Sequence, residues 1–486
     1  MIPSTLLIAN RGEIAIRVIR AAAELGIRTV AVHSADDADS LHTRKADVVR
    51  PLEGRGVRAY LDSAQLLAAA AEVGADAIHP GYGFLSENAS FAKTCAAAGV
   101  RFVGPRPEVL ELFGDKVAAR RAAQEAGVPT LAGSAEPVSL AEARRFFGAQ
   151  PGGIVLKAVA GGGGRGMRVV RRADELDDAY ARCISEAAAA FGDGAVYAEA
   201  LMAPARHVEI QVLGDGAGAV AHLGERDCSV QRRHQKLIEV APSPGLPAAL
   251  RERIIDAALA LARAVRYDNI GTFEFLVDAG ELSEGSAFAF IEANPRLQVE
   301  HTVTEEVTGV DLVETQLRLA GGASLAELGF VDGGGVEPKG CAIQVRINME
   351  TMDADGATVP TGGTIGVYEL PSGKGIRVDG FGYAGYRTSP SFDSLLAKLI
   401  VHRPSGGFAE TAAKAYQALR ECRIEGVETN LGLLADLVSL PDFAAGRITT
   451  GFIEEHLGEL GRSEHERRFH APPADGAATP AGGAPG

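Results

Sequence analysis

The feature that most narrows the fold is a cadence repeated through roughly the first hundred residues: apolar run, helical stretch, glycine, apolar run. TLLIA (5–9) has the length and composition of a buried strand. Ile14, Val18, Ile19, Ala22 and Leu25 follow at helical spacing, and Gly26 ends the helix. RTVAVHS (28–34) is a second strand, and the pattern returns in AAAAEVGADAIHP and AAAGVRFVGP. Strands separated by helices return in the same direction, so this segment is predicted to form a parallel sheet flanked by helices. Asn10, with Glu13 three residues on, is predicted to cap the first helix. GxGxxG is missing after the first strand, which speaks against a dinucleotide site.

From about residue 115 the texture changes. A helix near 115–126 precedes a strand (GGIVLKAVA), a run of glycines and a strand (MRVVR). A helix-rich 173–191 and the strand AVYAEALM follow. Residues 206–213 and 217–224 alternate like a hairpin turning at Gly214-Asp215-Gly216. GTFEFLVD and AFAFIEAN are two more strands, joined by the polar turn 279–286. After about 335 come short strands, then a helix at 408–423 and a last helical stretch. The Pro/Gly/Ala-rich end, 461–486, is predicted to be a disordered tail or linker. There is no solenoid-type repeat. A chain of 486 residues suggests roughly two to four domains.

The net charge of −15 argues against nucleic acid or anionic membrane as partner. No apolar stretch reaches the roughly 18 residues of a membrane span, and MIPSTLLIANRGE lacks the pattern of a secretory leader. The five cysteines are scattered, without metal-binding spacing, which fits a reducing cytoplasm.

Three signals carry chemistry. In KAVAGGGGRGMR (157–168), four glycines lie between Lys157 and Arg165. Such a loop is either a plain hairpin turn or a cradle whose N–H groups converge on phosphate oxygens; the G-K-[ST] ending of a P-loop is missing. Glu274 and Glu292 each interrupt an apolar strand, and Asn294 shares the face of Glu292. Two carboxylates and an amide oxygen suit Mg²⁺, and the bland reading is a pair of solvent-facing glutamates. ERDCSVQRRHQK (225–236) gathers Arg226, Arg232, Arg233, His234 and Lys236; PRLQVEHTVTE (295–305) holds Arg296, Gln298, Glu300 and His301. Either run alone reads as a solvated charged face. Taken together with the loop and the paired acids, they form the parts list for a nucleoside triphosphate, Mg²⁺ and a second anion, held for phosphoryl transfer.

IANRGEIAIRVIRA, HPGYGFLSEN (79–88), KAVAGGGGRGMR, RHVEIQV (206–212), ERDCSVQRRHQK, GTFEFL, EANPRLQVEHTVTE and FDSLLAKL (392–399) resemble biotin carboxylase, in order and from about residue 5 to about 455. The resemblance implies a multidomain α/β and α+β chain: an N-terminal parallel α/β (pre-ATP-grasp) domain at 1–114, an ATP-grasp domain at 115–330 with a mobile lid at about 130–202, and a C-terminal α+β domain at 331–460. It implies that ATP phosphorylates bicarbonate to carboxyphosphate, whose CO₂ is trapped on biotin, as the first half-reaction of an acyl-CoA carboxylase. Alternatives are another ATP-grasp ligase, or the same part of a pyruvate or urea carboxylase. Partners would be a biotin carrier domain and a carboxyltransferase, with a homo-oligomer expected.

By the same resemblance, Lys116, Lys157, Gly163, Gly164, Glu199, Leu201, Met202, His207, Gln231 and His234 would bind ATP, together with Glu274 and Glu292. Glu274, Glu292 and Asn294 would hold Mg²⁺ or Mn²⁺. Lys236, Arg296, Gln298 and Val299 would bind bicarbonate. Glu300 would be the base, Arg346 would stabilise the biotin enolate, and Tyr82 would contact biotin. The chain departs from the family pattern at the adenine hinge (Glu199-Ala-Leu-Met), at Gln344-Val-Arg-Ile-Asn-Met-Glu350, and at Lys374, where some members carry a dimer-forming phenylalanine.

Overall fold

A computed structural model describes residues 2–134, 136–159, 166–353, 356–461 and 465. The N-terminal cadence folds as read. Strands β1 (Thr5–Ile8), β2 (Arg28–His33), β3 (Val48–Pro51), β4 (Ala77–His79) and β5 (Arg101–Phe102) form one parallel sheet in the order β3-β2-β1-β4-β5. β1 is central, so its side chains are covered on both faces, which explains why it reads as an unbroken apolar run. Helix Gly12–Glu24 packs Ile14, Val18, Ile19 and Ala22 onto that sheet.

Asn10 does not cap this helix. The N-cap is Arg11, with no side-chain capping bond. The Asn10 amide instead donates to the carbonyls of Pro80 (2.6 Å) and Tyr82 (2.8 Å), tying β1 to the loop after β4. Glu13 is thereby free to point away from the helix end, into a buried site taken up below.

β6 (Ile154–Ala158), β7 (Met167–Val170) and β8 (Val196–Ala200) make a separate antiparallel sheet, β7-β6-β8. Helices Leu140–Gly148 and Leu176–Phe191 cover it, with a small core of its own around Leu156, Val170 and Cys183. The glycine loop between β6 and β7, with Gly163, Gly164 and Arg165, lies outside the described residues, as does most of the proposed tail.

The remaining frame is one antiparallel sheet of eight strands. It uses β9 (Ala205–Asp215), β10 (Val220–Arg232), β11 (Gln235–Ala241), β12 (Asp268–Asp278), β13 (Phe288–Asn294), β14 (Cys341–Asn348), β18 (Ile376–Gly380) and β19 (Leu395–Arg403), in the order β13-β12-β9-β10-β11-β14-β19-β18. Helix Ala248–Ala264 covers one side with Ile254, Ala258 and Leu261 against Val208, Ile210, Phe273 and Phe275. Helices Phe408–Glu421 and Leu431–Ser439 cover the far half. Two small pairs complete it: β15 (Glu350–Met352) with β16 (Thr358–Pro360), and β17 (Val367–Glu369) with β20 (Arg423–Glu425).

The β9–β10 turn is displaced from Gly214-Asp215-Gly216. β9 runs through Asp215, and Gly214 pairs with Val220, leaving 216–219 as the connection. Gly214 is glycine for a different reason: a Cβ there would sit 2.1 Å from the Tyr267 carbonyl oxygen of the neighbouring segment.

Candidate active site

Strand register assembles the site. Glu292 opposes Glu274, Glu274 opposes Glu209, and Glu209 opposes Arg226, across β13, β12, β9 and β10. Directly opposed residues share a face, so these four form a transverse row. Phe273 and Phe275 alternate to the other face and into the core. A bulge between Glu274 and Phe275 leaves Ile291 as the extra residue and keeps Glu292 in the row. The bland reading of solvent-facing glutamates fails for Glu274, which is 3 % exposed. Glu292 is more open and lies 3.8 Å from the Lys116 ammonium.

Glu209 and Arg226 of this row are fully buried, while Glu274 and Glu292 line a cleft of about 1800 Å³. At its centre, Lys236 on β11 reaches three carboxylates: Glu209 at 2.7 Å, Glu274 at 2.9 Å and Glu300 at 2.7 Å. Burial alone would lower the Lys236 pKa, but the three anions push it well above the ordinary value. Arg346 on β14 bridges Glu239 (2.5 Å) and Glu300 (3.1 Å). Burial would raise the Glu300 pKa; Lys236, Arg346 and Arg226 override it and hold the carboxyl well below the usual range. Glu274 follows the same rule under Lys236 and His207, whose Nε2 is 2.8 Å from its oxygen. His207 is pushed upward by that carboxylate against the effect of burial. Gln231 lies 2.8 Å from its Nδ1.

The other expected residues fall at stated places. Gln298 donates to Glu274 at 2.9 Å, as does Asn294. Arg296 pairs with Glu87 at 2.6 Å and donates to Asn294 Oδ1 at 3.1 Å. Val299, Leu201, Met202, Gln231 and His234 line the cleft. His234 and Arg233 take positive φ in the tight β10–β11 turn. Lys157 also lines it, ion-paired with Glu199 across β6 and β8. Tyr82 and Glu199 are not among the lining residues; the Tyr82 hydroxyl donates to Glu13. Two further residues, Glu209 and Glu239, belong to the site without standing in either polar run. Glu209 in HVEIQV and Glu239 in LIEVA interrupt apolar strands just as Glu274 does, so the same signal marks them. Arg226, fully buried, reaches Glu209, Gln211, Thr304, Thr272 and Gln298. It stands in the basic run as one arginine among several, and nothing local separates it.

Glu274, Glu292 and Asn294 offer hard oxygen donors facing one cleft from adjacent strands. A Mg²⁺ that also takes phosphate oxygens needs only one or two carboxylates, so the donor set fits.

Three family models tile the chain: Biotin carboxylase, N-terminal domain over 2–110, Carbamoyl-phosphate synthase L chain, ATP binding domain over 115–328, and Biotin carboxylase C-terminal domain over 344–455. The biotin carboxylase domain of the Hydrogenobacter thermophilus 2-oxoglutarate carboxylase, solved as a dimer with MgADP, ADP and bicarbonate, is 41 % identical with a TM-score of 0.89; the match covers 96 % of this chain and 100 % of that one. The chain belongs to the biotin carboxylase family. It is an ATP-dependent ligase by that membership.

The rat mitochondrial pyruvate carboxylase is 48 % identical over 456 residues, 93 % of this chain but 38 % of the relative. The chain thus spans well under half the length of the curated relatives it matches. A single-chain, multi-domain long-chain acyl-CoA carboxylase is 46 % identical with a TM-score of 0.83, covering 94 % of this chain and 43 % of that one. The expected acyl-CoA carboxylase is not matched by the names of several curated relatives at 46–48 % identity, which are pyruvate carboxylases. Among the described residues no helix is long and apolar enough to cross a membrane. Cytoplasm does not follow from that, since the rat relative is named mitochondrial.

Proposed function

We propose that this biotin carboxylase uses ATP to activate bicarbonate and transfers the carboxyl group to biotin on a carrier domain. The observation that carries the reading is Glu300, held between Lys236 and Arg346 in the same cleft that Lys116, Lys157 and His207 line. Lys116, Lys157 and His207 would bind the ATP phosphates, beside Leu201 and Met202 for adenine. Arg296, Gln298, Val299 and Lys236 would hold bicarbonate against Glu300. Glu300 is ionised throughout the working range and accepts the bicarbonate proton. An oxygen of the resulting dianion attacks the terminal phosphorus as the bond to ADP breaks, giving carboxyphosphate. Carboxyphosphate separates into CO₂ and phosphate; the phosphate takes the proton from N1′ of biotin, Arg346 would balance the resulting enolate charge, and N1′ then bonds to CO₂. Mg²⁺ held by Glu274, Glu292 and Asn294 would supply charge neutralisation on the phosphates.

A carboxylate this strongly ionised is a weak base. Lys236 is the partner whose bond is best spared: an arriving anion competes for the ammonium and thereby raises the basicity of Glu300.

The reading is tested by bicarbonate-dependent ADP release with and without free biotin. Stimulation by biotin is expected; stimulation by ammonia or an amino acid instead would sink it. For the second half-reaction we favour a 2-oxo acid such as pyruvate over an acyl-CoA, because the curated relatives at this identity are pyruvate carboxylases. The carrier and carboxyltransferase would lie on the same longer chain or in trans, and a dimer is favoured by the Hydrogenobacter domain. Reconstitution with biotinylated carrier and carboxyltransferase, supplied with pyruvate or acyl-CoA, decides the acceptor. The five described cysteines are buried and unpaired, which supports a reducing compartment.

A further inference from the structure

Two motifs have no task in that scheme: Asn10-Arg11-Gly12-Glu13 after β1, and the β19 segment FDSLLAKL. The fold brings them together at one buried ammonium. Lys398 is 0 % exposed. Its Nζ lies 3.1 Å from Glu13 Oε2 and donates to the Val299 carbonyl at 3.0 Å. The other Glu13 oxygen accepts from the Tyr82 hydroxyl. Lysine is among the residues least often fully buried, and a fully buried one has been given partners for a reason.

Register supplies the reason. Lys398 opposes Arg346 directly across β19 and β14. The two cations therefore stand side by side on one face. Arg346 takes the Glu300 carboxylate, and Lys398 takes the backbone carbonyl one residue earlier. Val299 and Glu300 lie between β13 and helix His301–Thr308, where no strand ladder fixes the backbone.

We propose that Lys398 is a positioning residue for the bicarbonate pocket. Anchored by Glu13, it fixes the Val299–Glu300 backbone and so sets where the Glu300 carboxylate sits relative to Lys236, Arg296 and Gln298. The proposal rests on the reading given above for those four residues. A shift of about 1 Å in a reacting group can cost on the order of a hundredfold in rate. The shift here would fall on Glu300 and its neighbours Lys236 and Arg346 and leave Lys116, Lys157, Leu201 and Met202 in place.

The test is steady-state ADP release by the full chain, with bicarbonate and ATP varied separately. Lys398→Met should raise the bicarbonate KM about tenfold or more while the ATP KM stays within about twofold, and Lys398→Arg, which keeps a donor, should recover most of the loss. Lys398→Met alone leaves Glu13 as an uncompensated buried charge. The double variant Lys398→Met/Glu13→Gln removes both charges, keeps the Tyr82 acceptor, and should fold with the same raised bicarbonate KM. An unchanged bicarbonate KM in a folded variant overturns the proposal. So does a parallel rise in both KM values, or failure of both variants to fold, which would make Lys398 a residue of stability alone. If the unmodified chain shows no bicarbonate-dependent ADP release, the function proposed above fails; if it does and the variants match it, only this inference fails.

Discussion

Glu300 and Lys236 are the residues through which the site is most sharply tested. Glu300→Gln keeps the shape and removes the proton acceptor. The bicarbonate-dependent rate should fall about a hundredfold or more, while ATP binding, measured by calorimetry, should stay within about twofold because Lys116 and Lys157 are untouched. Lys236→Met does something different. It leaves Glu209, Glu274 and Glu300 facing one another without their shared cation, and stability should drop by about 3–5 kcal/mol. The pH dependence has a definite sign. Lys236 is the foremost of the cations that hold Glu274 and Glu300 low, so the stability it contributes is present above the ordinary glutamate range and is lost as pH falls below about 4.5. The gap in thermal midpoint between parent and variant should therefore be wider at pH 7 than at pH 4, and a gap that does not change would contradict the arrangement. Glu274 was legible in the sequence because a carboxylate inside FEF has no reason to be there unless paired. Lys398 was not, since its partner Glu13 lies far away in the chain and neither motif carries the pairing on its face.

At the level of elements, what was legible depended on how local the cause was. The parallel N-terminal strands were readable because burial on both faces leaves an apolar run. The Asn10 cap and the hairpin turn were misread because non-local partners won: Pro80 and Tyr82 take the Asn10 amide, and Tyr267 dictates Gly214. The β9–β10 hairpin and the turn joining β12 to β13 were readable, but the pairings β12–β9 and β11–β14 were not, because strand neighbours distant in sequence leave no local trace. Gly271 on β12 shows how tightly those neighbours fit. A Cβ there would lie 1.8 Å from the Tyr267 hydroxyl oxygen. That hydroxyl is held by the Ile270 carbonyl at 3.1 Å. Gly271→Ala should cost about 1–3 kcal/mol by overpacking, measured by chemical denaturation, and should reduce turnover because Thr272 and Glu274 share the strand. A variant as stable as the parent would mean that Tyr267 can move aside.

For the molecule as a whole, buried histidines set a pH window for stability. His42 lies 3.0 Å from both Ser40 Oγ and the Val32 oxygen, and burial pushes its pKa down to about 4. His79 accepts from the Gly81 N–H, and burial pushes it to about 3. In the unfolded chain a histidine titrates near 6.5. Below that pH the unfolded state binds protons that the folded state refuses, so stability falls as pH falls from about 6.5 towards about 4. Glu274 and Glu300, held low when folded, act in the same direction only below about pH 4.5. The thermal midpoint should accordingly already decline between pH 7 and pH 5, and a flat profile across that range would refute the assignment of neutral buried imidazoles. The eight-stranded sheet has a consequence of another kind. Its β11–β14 pairing, Ile238 with Val345 and Val240 with Ile343, crosses the gap between the segments matched at 115–328 and 344–455. Segments that sequence comparison separates are here a single hydrogen-bonded ladder. A gene fragment ending before β14 would expose β11 as a sticky edge, ready to pair with another chain.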